Sequence, residues 1–432
     1  MYSQIISLIR QEVKPALGCT EPVAVALAAA KSCEILSSTG EKPEKIEAAV
    51  SANILKNGMG VGIPGTGMTG LNIAVALAAV CGKSKYGLEV LKELNDTAVA
   101  NAKKMVEEGK VKITLADTAE TLFVRASAYS ANHIAEAVVS GSHDTVTGAF
   151  LDGNAICSGI SSNQTGGEAD SSVVPESAAR DLTVSQIWEF ANNVPLDEIE
   201  FMMDSVKMNE ALVKEGLEGD YGLKVGKTIA RGSNSEFYGD SLLIYAMSCT
   251  AAASDARMAG STLPAMSNSG SGNQGITVTV PVIAVAEKIN ASHEQLVRAL
   301  ALAHTVAIHI KGHLGKLSAL CGCVIASTGA ACGIVYLKGG GYEEICAAIK
   351  NMIGNITGMV CDGAKVGCAM KVASGVACAM QSAVLALEGT CISPNDGIIE
   401  EDIEKTISNL GRIGSKGMQT TDKMILDIMV CK

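Results

Sequence analysis

Aromatic side chains are scarce in this chain, making up 3% of its 432 residues and including a single tryptophan. The hydrophobic fraction is nevertheless 48%, so the core has to be built mainly from Ala, Val, Ile, Leu and Met. These side chains, together with 45 glycines, favour closely packed helices and sites lined by the backbone. The length predicts two domains or three, with ample capacity for a buried core.

The chain also lacks an excess of basic residues and any long uncharged apolar run. Its formal net charge of −11 argues against nucleic acid as a partner, because phosphate binding depends on clustered Lys and Arg. The longest uncharged apolar stretch, residues 276–286, is too short to span a bilayer. The N-terminal segment carries charges inside its apolar pattern and has no cleavage site, unlike a signal peptide. We therefore expect a cytoplasmic protein with no membrane partner.

Cysteine, by contrast, is abundant, with 14 residues. Because thiols stay reduced in the cytoplasm, a disulfide framework is not expected. Some of these residues, such as Cys33 and Cys81 in Ala-rich helical stretches, are predicted to serve as small hydrophobic side chains.

The order of sequence patterns predicts an α+β fold. Residues 1–180 are expected to form an N-terminal α/β domain and residues 181–432 an all-α domain, because helical periodicity dominates after Asp181. Thr183 and Asp197 are placed as helix N-caps. The polar segment 158–172 is the predicted linker.

Within the first part, residues 1–35 predict two helices separated by a break between Pro15 and Pro22. The patterns then predict a strand, a helix and three further strands, at residues 45–56, 71–82, 110–116, 122–129 and 133–148.

A glycine-rich segment follows the first predicted strand. Gly60, Gly62 and Gly65 match the spacing GxGxxG, but no second strand ends in an acidic residue about 20 positions further on. Pro64 also removes one of the amide groups that would hold a phosphate. A tight turn whose amides face a small anion is predicted here rather than a dinucleotide site.

The segment SNSGSGNQG interleaves side-chain donors with three glycines. Its exposed amides and polar side chains are suited to hold a carboxylate, and the candidates are Asn268, Ser269, Ser271, Asn273 and Gln274. A plain Asx or Ser turn is the alternative. Arg257, just upstream, can supply a bidentate clamp for the same carboxylate or form a structural ion pair.

Three histidines, His304, His309 and His313, lie on one predicted helix. His309 and His313 can share a face, but Gly312 stands between them and no carboxylate ligand is near in the sequence. We expect satisfied or surface histidines rather than a zinc site.

Two sets of cysteines are candidates for chemistry. Cys19 lies just before a helix predicted to begin near Pro22, and a helix N-terminus lowers the pKa of a thiol, so Cys19 is a candidate nucleophile or base. Cys321, Cys361 and Cys368 lie in small-residue surroundings, and thiolates favour zinc, copper(I) or iron–sulfur clusters. Their spacing differs from that of zinc ribbons and bacterial ferredoxins, so spacing alone leaves the cluster undecided.

The chain resembles the L-cysteine desulfidase family, relatives of the iron–sulfur L-serine dehydratases, over essentially its whole length. The resemblance rests on the blocks GCTEP, GIPGTGMTG, SDARMAG, SNSGSGNQGI, LSALCGCV and MVCDGAKVGCA. It implies a [4Fe–4S] cluster held by Cys321, Cys361 and Cys368, with Cys323 as the alternative first ligand and one iron without a protein ligand. It also implies that Cys19 is the base, with the carboxylate fixed by residues 268–274 and by Thr20 or Arg257.

The activity implied by this resemblance is conversion of L-cysteine to pyruvate, ammonia and sulfide by β-elimination. An L-serine dehydratase and a non-catalytic metal or redox-sensing protein are the alternatives. Cys431, the penultimate residue, is a candidate to cover the open iron or is a terminal cysteine without a role. The Ala- and Gly-rich helical part makes a homodimer plausible.

Overall fold

The computed structural model describes residues 2–161, 177–231, 235–315 and 318–431, and most of these residues are helical. The α-helices are α1 Tyr2–Glu12, α2 Thr20–Ser37, α3 Ala52–Gly58, α4 Leu71–Cys81, α5 Asp96–Glu107, α6 Ala178–Asp181, α7 Val184–Asn193, α8 Leu196–Ile199, α9 Met203–Glu218, α10 Val225–Ile229, α11 Ser235–Tyr238, α12 Leu242–Met258, α13 Gly272–Ile289, α14 His293–Leu314, α15 Gly322–Leu337, α16 Tyr342–Ile356, α17 Cys368–Leu387, α18 Ile403–Arg412 and α19 Gln419–Val430. Short 3₁₀ helices span Ser84–Glu89 and Glu200–Met202, and a π turn, Ile413–Gly417, joins α18 to α19.

A six-stranded sheet occupies the N-terminal part. The strands of the protein are β1 Pro15–Ala16, β2 Lys45–Val50, β3 Val111–Leu115, β4 Phe123–Tyr129, β5 Ile134–Ser140, β6 Thr145–Leu151, β7 Asn154–Ser161 and β8 Ala265–Met266. The sheet order is β3-β2-β4-β5-β6-β7, in which β2 and β3 are parallel and all other neighbours antiparallel. β1 pairs separately with β8, which ties the N-terminal part to the segment before α13.

The small side chains of the sheet explain how α2 packs on it. Ala126 and Ala128 of β4 and Ala135 and Ala137 of β5 are fully buried on alternate positions, as a sheet with one covered face requires. The central run of α2, residues 24–30, is equally buried and contains five alanines. Because both surfaces are rich in alanine, helix and sheet pack closely without aromatic residues.

The helical part has its own core, formed mainly by α7, α13, α14, α15 and α16. Glycines allow the closest helix contacts: a Cβ on Gly216 of α9 would lie 1.9 Å from the carbonyl oxygen of Ala252 on α12. Of the described helices, one, α17, has the length and apolar composition needed to cross a membrane. Core helices share these properties, and α17 packs against α12, α15 and α16.

The predicted α+β fold is confirmed, with a sheet-containing N-terminal part and a helical C-terminal part. α1 packs into the helical core, where Tyr2 contacts Phe190 edge-to-face at 5.7 Å between ring centroids. The predicted boundary near residue 180 stays a prediction. The predicted linker at 158–172 lies largely outside the described residues.

Several predicted elements differ in detail. The strand predicted for 45–56 ends at Val50, and residues 52–58 form α3 instead. The strand predicted for 133–148 is two strands joined by a turn at 141–144. Thr183 is the N-cap of α7, as predicted, and it forms a capping box with Gln186. The N-cap of α8 is Pro195, and Asp197 lies inside the first turn of that helix instead.

Candidate active site

One pocket brings together most of the residues singled out in the sequence. Its cavity is about 120 Å³. The predicted residues that line it are Cys19, Thr20, Arg257, Ser271, Asn273, Gln274, Cys321, Cys361 and Cys368. Cys323, the predicted alternative ligand, lines it as well, and so do residues that were not predicted, namely Glu21, Asn57, Met258, Gly322, Gly363 and Ala364.

Four long helices begin at this pocket. Cys19 is the N-cap of α2, Ser271 the N-cap of α13 and Cys321 the N-cap of α15, while Cys368 is the first residue of α17. A helix N-terminus carries a partial positive charge and unsatisfied amide groups, so each one favours an anion nearby. The four termini together make the pocket a site for thiolates and for an anionic ligand.

Backbone pairing aligns Cys321 with Cys361. The amide of Cys321 donates to the carbonyl of Met359 at 3.0 Å, and the amide of Cys361 donates to the carbonyl of Ala319 at 2.6 Å. The two thiols are hydrogen-bonded to each other. The hydrogen bond with Cys323 and burial raise the pKa of Cys321, and the bond with Cys321 and burial raise the pKa of Cys361. Burial likewise raises the pKa of the Cys368 thiol.

Lysine charges oppose these shifts. Lys56 is 2% exposed, forms an ion pair with Asp422 of α19, and its charge lowers the pKa of Cys361. Lys371 donates to the carbonyl of Val360 at 2.7 Å and pairs with Asp362, and its charge lowers the pKa of Cys368. The two lysine charges, each paired with an aspartate, therefore offset part of the rise in thiol pKa that burial causes.

The glycine-rich segment closes one side of the pocket. Gly60 forms a bridge with Lys365, and Gly363, at a φ of +91°, lies so close to α3 that a Cβ there would be 2.3 Å from the carbonyl oxygen of Lys56. The amides of Gly62 and Gly65 donate to the carbonyls of Met258 and Gly260. These amides are therefore not available to the small anion predicted for this turn, and the glycines serve close backbone packing instead.

Cys19 is almost fully buried, at 4% exposure, and its Sγ lies 3.8 Å from Sδ of Met258. Burial raises its pKa to about 11, and the positive charge of Arg257 opposes this shift. The expectation that the helix N-terminus would lower the pKa of this thiol is therefore wrong for the protein without a ligand, because the loss of hydration dominates.

Arg257 is also buried and is anchored on both sides of the pocket. Its Nη2 donates to the carbonyl of Gly18 at 2.9 Å, and its Nη1 donates to Oδ1 of Asn273 at 3.1 Å. Its Nε is buried and has no hydrogen-bond partner within the described parts of the chain. A Cβ on Gly272 would lie 2.2 Å from that atom, so the first residue of α13 has to be glycine for Arg257 to fit.

Asn57 supplies a second unsatisfied polar atom, which the sequence gave no reason to expect. Its side chain is 8% exposed, and its Oδ1 has no hydrogen-bond partner among the residues that the structure describes. Glu21 adds a carboxylate to the same pocket. The hydroxyl of Thr20 donates its one hydrogen to the carbonyl of Gly270 at 3.0 Å, and Oε2 of Glu21, at 3.3 Å, is the longer alternative acceptor.

Two of the residues predicted to hold the carboxylate, Asn268 and Ser269, do not line the pocket. Asn268 is fully buried, donates to the carbonyl of His304 at 3.2 Å, and accepts from Ser269 and Gln274 at 2.9 and 3.1 Å. Because these bonds occupy its amide, Asn268 orients Gln274 rather than facing the cavity. Ser269 is committed to the same network and is likewise absent from the pocket lining.

The alternative cysteines differ in position. Cys323 lines the pocket together with Cys321, so the choice of first ligand stays open. Cys431 ends α19 with an exposed side chain and does not belong to the lining, so this structure gives no support for its covering an open iron. His304 is a satisfied core histidine, as expected, because its ring also contacts Thr279 at 3.0 Å.

Sequence comparison assigns the chain to a family. The family model for the serine dehydratase alpha chain matches residues 85–427, so the protein belongs to the serine dehydratase alpha chain family. Membership makes it an enzyme of the serine dehydratase type. A protein from Parabacteroides distasonis named "UPF0597 protein" is 50% identical over 430 residues, covering 100% of this chain and 98% of its own.

Two further relatives bear the same name, which states no activity. One from Bacteroides thetaiotaomicron is 48% identical over 430 residues, with 99% of this chain and 98% of its own covered. The other, from Shewanella pealeana, is 44% identical over 433 residues, with 100% and 99% covered.

Proposed function

We propose that this protein is an iron–sulfur-dependent lyase that converts L-cysteine to pyruvate, ammonia and sulfide by β-elimination. The proposal rests on one observation: a single pocket is lined by Cys321, Cys361 and Cys368 and also by Cys19 and Arg257. Membership of the serine dehydratase family supports the reaction class. The resemblance to L-cysteine desulfidases supports the substrate.

The residues present fit a [4Fe–4S] cluster. Three thiols line the cavity, helices α15 and α17 begin at two of them, and Lys56 and Lys371 place positive charge beside them. Among the described residues, the group whose ligand atoms all lie within 4.8 Å of one another consists of other side chains, so the three thiols are not all within that distance of each other. Cys321, Cys361 and Cys368 would hold the cluster, and its iron without a protein ligand would act as a Lewis acid on the departing thiol.

The chain offers separate groups for the two charges of an amino acid. The guanidinium of Arg257 and the N-terminus of α13 favour the carboxylate at the side of the pocket formed by Asn273. The unpaired Oδ1 of Asn57 can accept a hydrogen bond from the ammonium group, and Glu21 adds a negative charge for it. A buried donor and a buried acceptor without partners are costly, and a bound zwitterion satisfies both.

Cys19 is the base in this proposal. As a thiolate it takes the α-proton, the C–H electron pair forms the Cα–Cβ double bond, and the Cβ–S bond breaks with sulfide leaving. The aminoacrylate released gains a proton at Cβ and is hydrolysed to pyruvate and ammonia, so the reaction needs no oxidant. Burial makes this thiolate a stronger base, and the charge of Arg257, which lowers the pKa of Cys19, favours its deprotonation.

L-Serine dehydration is the second candidate, because the family model bears that activity in its name. The same base and carboxylate site would serve it, with water leaving instead of sulfide. A non-catalytic metal or redox-sensing protein would use the cysteines without turnover. The cytoplasmic location and the homodimer stay predictions.

The decisive experiment uses protein purified without oxygen and assayed for iron and acid-labile sulfide. Pyruvate and sulfide released from L-cysteine are compared with pyruvate released from L-serine. A higher kcat/KM for cysteine supports the proposal, and a higher value for serine replaces it with the dehydratase. Cluster-loaded protein that forms no pyruvate from either amino acid would leave only the sensing role.

A further inference from the structure

A second group of ligand-type side chains lies outside the thiol pocket. One ligand atom from each of His309, His313 and Glu404 lies within 4.8 Å of the others. None of the three belongs to the lining of the thiol pocket. The sequence placed His309 and His313 on one helix face without a carboxylate ligand nearby, and the structure adds Glu404, which is 95 positions from His309.

Two glycines bring these side chains together. His309 and His313 are one helical turn apart on α14. A Cβ on Gly411 of α18 would lie 2.7 Å from Cβ of His313, and a Cβ on Gly312 would lie 2.8 Å from the backbone nitrogen of Arg180. Only glycine at both positions lets α14 contact α6 and α18 this closely.

The ring of His309 lies between two hydrogen-bond acceptors, the carbonyl of Ala179 and the carboxylate of Glu404, and a neutral ring cannot donate to both. Its Nδ1 lies 3.0 Å from the carbonyl oxygen of Ala179, which can only accept, so Nδ1 carries a proton. In the neutral ring Nε2 is then an unprotonated acceptor, yet it lies 2.8 Å from Oε2 of Glu404. Either a second proton or a metal cation has to lie between these atoms.

Further features match the surroundings of a metal ligand set. Metal-binding histidines usually donate their other ring N–H to a carbonyl, as His309 does to Ala179, and the carboxylate ligands are themselves hydrogen-bonded. Glu404 accepts a hydrogen bond of 2.6 Å from the amide of Val184 through Oε1, which leaves Oε2 facing His309. His309 is fully buried, whereas the side chain of Glu404 is 28% exposed and leaves room for water.

His313 is the third donor and has an unused ring nitrogen. Its Nε2 is buried and lacks a hydrogen-bond partner within the described residues. This nitrogen belongs to a side chain whose ligand atom lies within 4.8 Å of those of His309 and Glu404, and it can therefore serve as the third ligand of a metal.

We propose that His309, His313 and Glu404 form a binding site for a divalent transition-metal ion of the zinc class. Two imidazoles and one carboxylate, completed by water at the exposed side, are a usual ligand set for zinc. The metal connects α14 to α18 through its ligands, and to the segment 178–184 through the hydrogen bonds of Ala179 and Val184. Its role is structural, and it is independent of the function proposed for the thiol pocket.

The test uses the cluster-loaded protein, because thiols without a cluster also bind zinc. The protein is stripped of loosely bound metal, given ZnCl₂ and examined by zinc-edge X-ray absorption, zinc analysis and thermal unfolding. We expect one zinc per chain with nitrogen and oxygen ligands only, together with a higher Tm. Glu404→Gln and His313→Ala should weaken zinc binding by about 10-fold or more.

His293→Ala is the matched control, because His293 also contacts a glutamate, Glu200, at 2.9 Å but has no third ligand within the described structure. It should leave zinc binding unchanged. The proposal is overturned if the wild-type protein binds no zinc, if its zinc has sulfur ligands, or if the Glu404 and His313 variants retain wild-type affinity. The second proton on His309 would then account for the contact with Glu404.

Discussion

The Nη2 atom of Arg257 lies 2.9 Å from the carbonyl oxygen of Gly18 and donates a hydrogen bond to it, and Gly18 immediately precedes Cys19. One residue on α12 thus holds the turn that positions the proposed base, and its charge also lowers the pKa of that thiol. The same guanidinium contacts Asn273 at the start of α13. The base and the carboxylate site are therefore positioned relative to each other by one side chain.

Replacing Arg257 should accordingly affect both rate and pH dependence. Arg257→Gln removes the clamp and the charge, and we expect kcat/KM to fall by about 100-fold, as for a displaced catalytic group. Cys19 acts only when deprotonated, and loss of a nearby cation raises its pKa. The pH–rate profile should therefore move to higher pH, measured with β-chloro-L-alanine, whose leaving group does not titrate. Arg298→Gln is the control, since Arg298 also donates to two backbone carbonyls but lies outside the pocket lining.

The cluster ligands are tested by serine substitution. We expect iron, acid-labile sulfide and activity to be lost together in the ligand variants, because a hydroxyl is a poor ligand for iron–sulfur clusters. These variants are Cys361→Ser, Cys368→Ser and either Cys321→Ser or Cys323→Ser. Loss of the cluster in Cys321→Ser but not in Cys323→Ser would identify Cys321 as the first ligand. Cys332→Ser, on the same helix α15 and fully buried, should keep its cluster. Full iron content in Cys361→Ser would contradict the assignment.

Cys19→Ala separates the base from the cluster. We expect the cluster to remain and kcat to fall by about 100- to 10,000-fold, the usual contribution of a positioned base. Cluster absorption and kcat are measured on the same sample. Cys33→Ala, a buried thiol further along α2, should retain wild-type activity. A Cys19→Ala enzyme with normal kcat would remove this residue from the mechanism.

Asn57 should act on substrate binding rather than on the chemical step. A hydrogen bond to a charged group contributes about 1.5–3 kcal/mol, so Asn57→Ala is expected to raise KM about 10- to 100-fold with a smaller change in kcat. Steady-state kinetics with L-cysteine provide the measurement. An unchanged KM would mean that the unpaired Oδ1 does not contact the substrate.

Gly272 tests the close contact between α13 and Arg257. The Cβ of Gly272→Ala would lie 2.2 Å from Nε and 2.6 Å from Cζ of Arg257, so either the helix or the arginine has to move. We expect a loss of about 1–3 kcal/mol in the free energy of unfolding, measured by denaturant titration, and reduced activity. At Gly358 a Cβ would meet no atom within 4 Å, and Gly358→Ala should change neither quantity.

The sequence predicted those parts of the site whose signal is local. Cys19 does precede a helix, because GCTEP combines a glycine at a φ of +73° with a helix that has Pro22 in its first turn. Thr183 and Gln186 form the capping box that their spacing indicates. Partial alternation and β-branched residues predicted the central strands, although the turn that divides residues 133–148 was missed.

The parts that were missed depend on contacts between distant segments. Asn57 was assigned to the start of the glycine-rich segment, after the predicted strand, whereas it lies in α3, which packs against Gly363 beside the pocket. Glu404 could not be paired with His309 from the sequence, since the contact requires α18 to pack on α14. Asn268 was predicted to bind the carboxylate because the sequence did not reveal its actual partner. That partner, His304, is 36 positions away and buried.

The pocket takes residues 19–21 from one end of the chain and residues 361–368 from near the other. A ribosome has to synthesise all of the chain between these two segments, including the sheet and the helices up to α16, before they can meet. Whatever cofactor Cys361 and Cys368 bind is therefore delivered to a protein in which those elements have already been made.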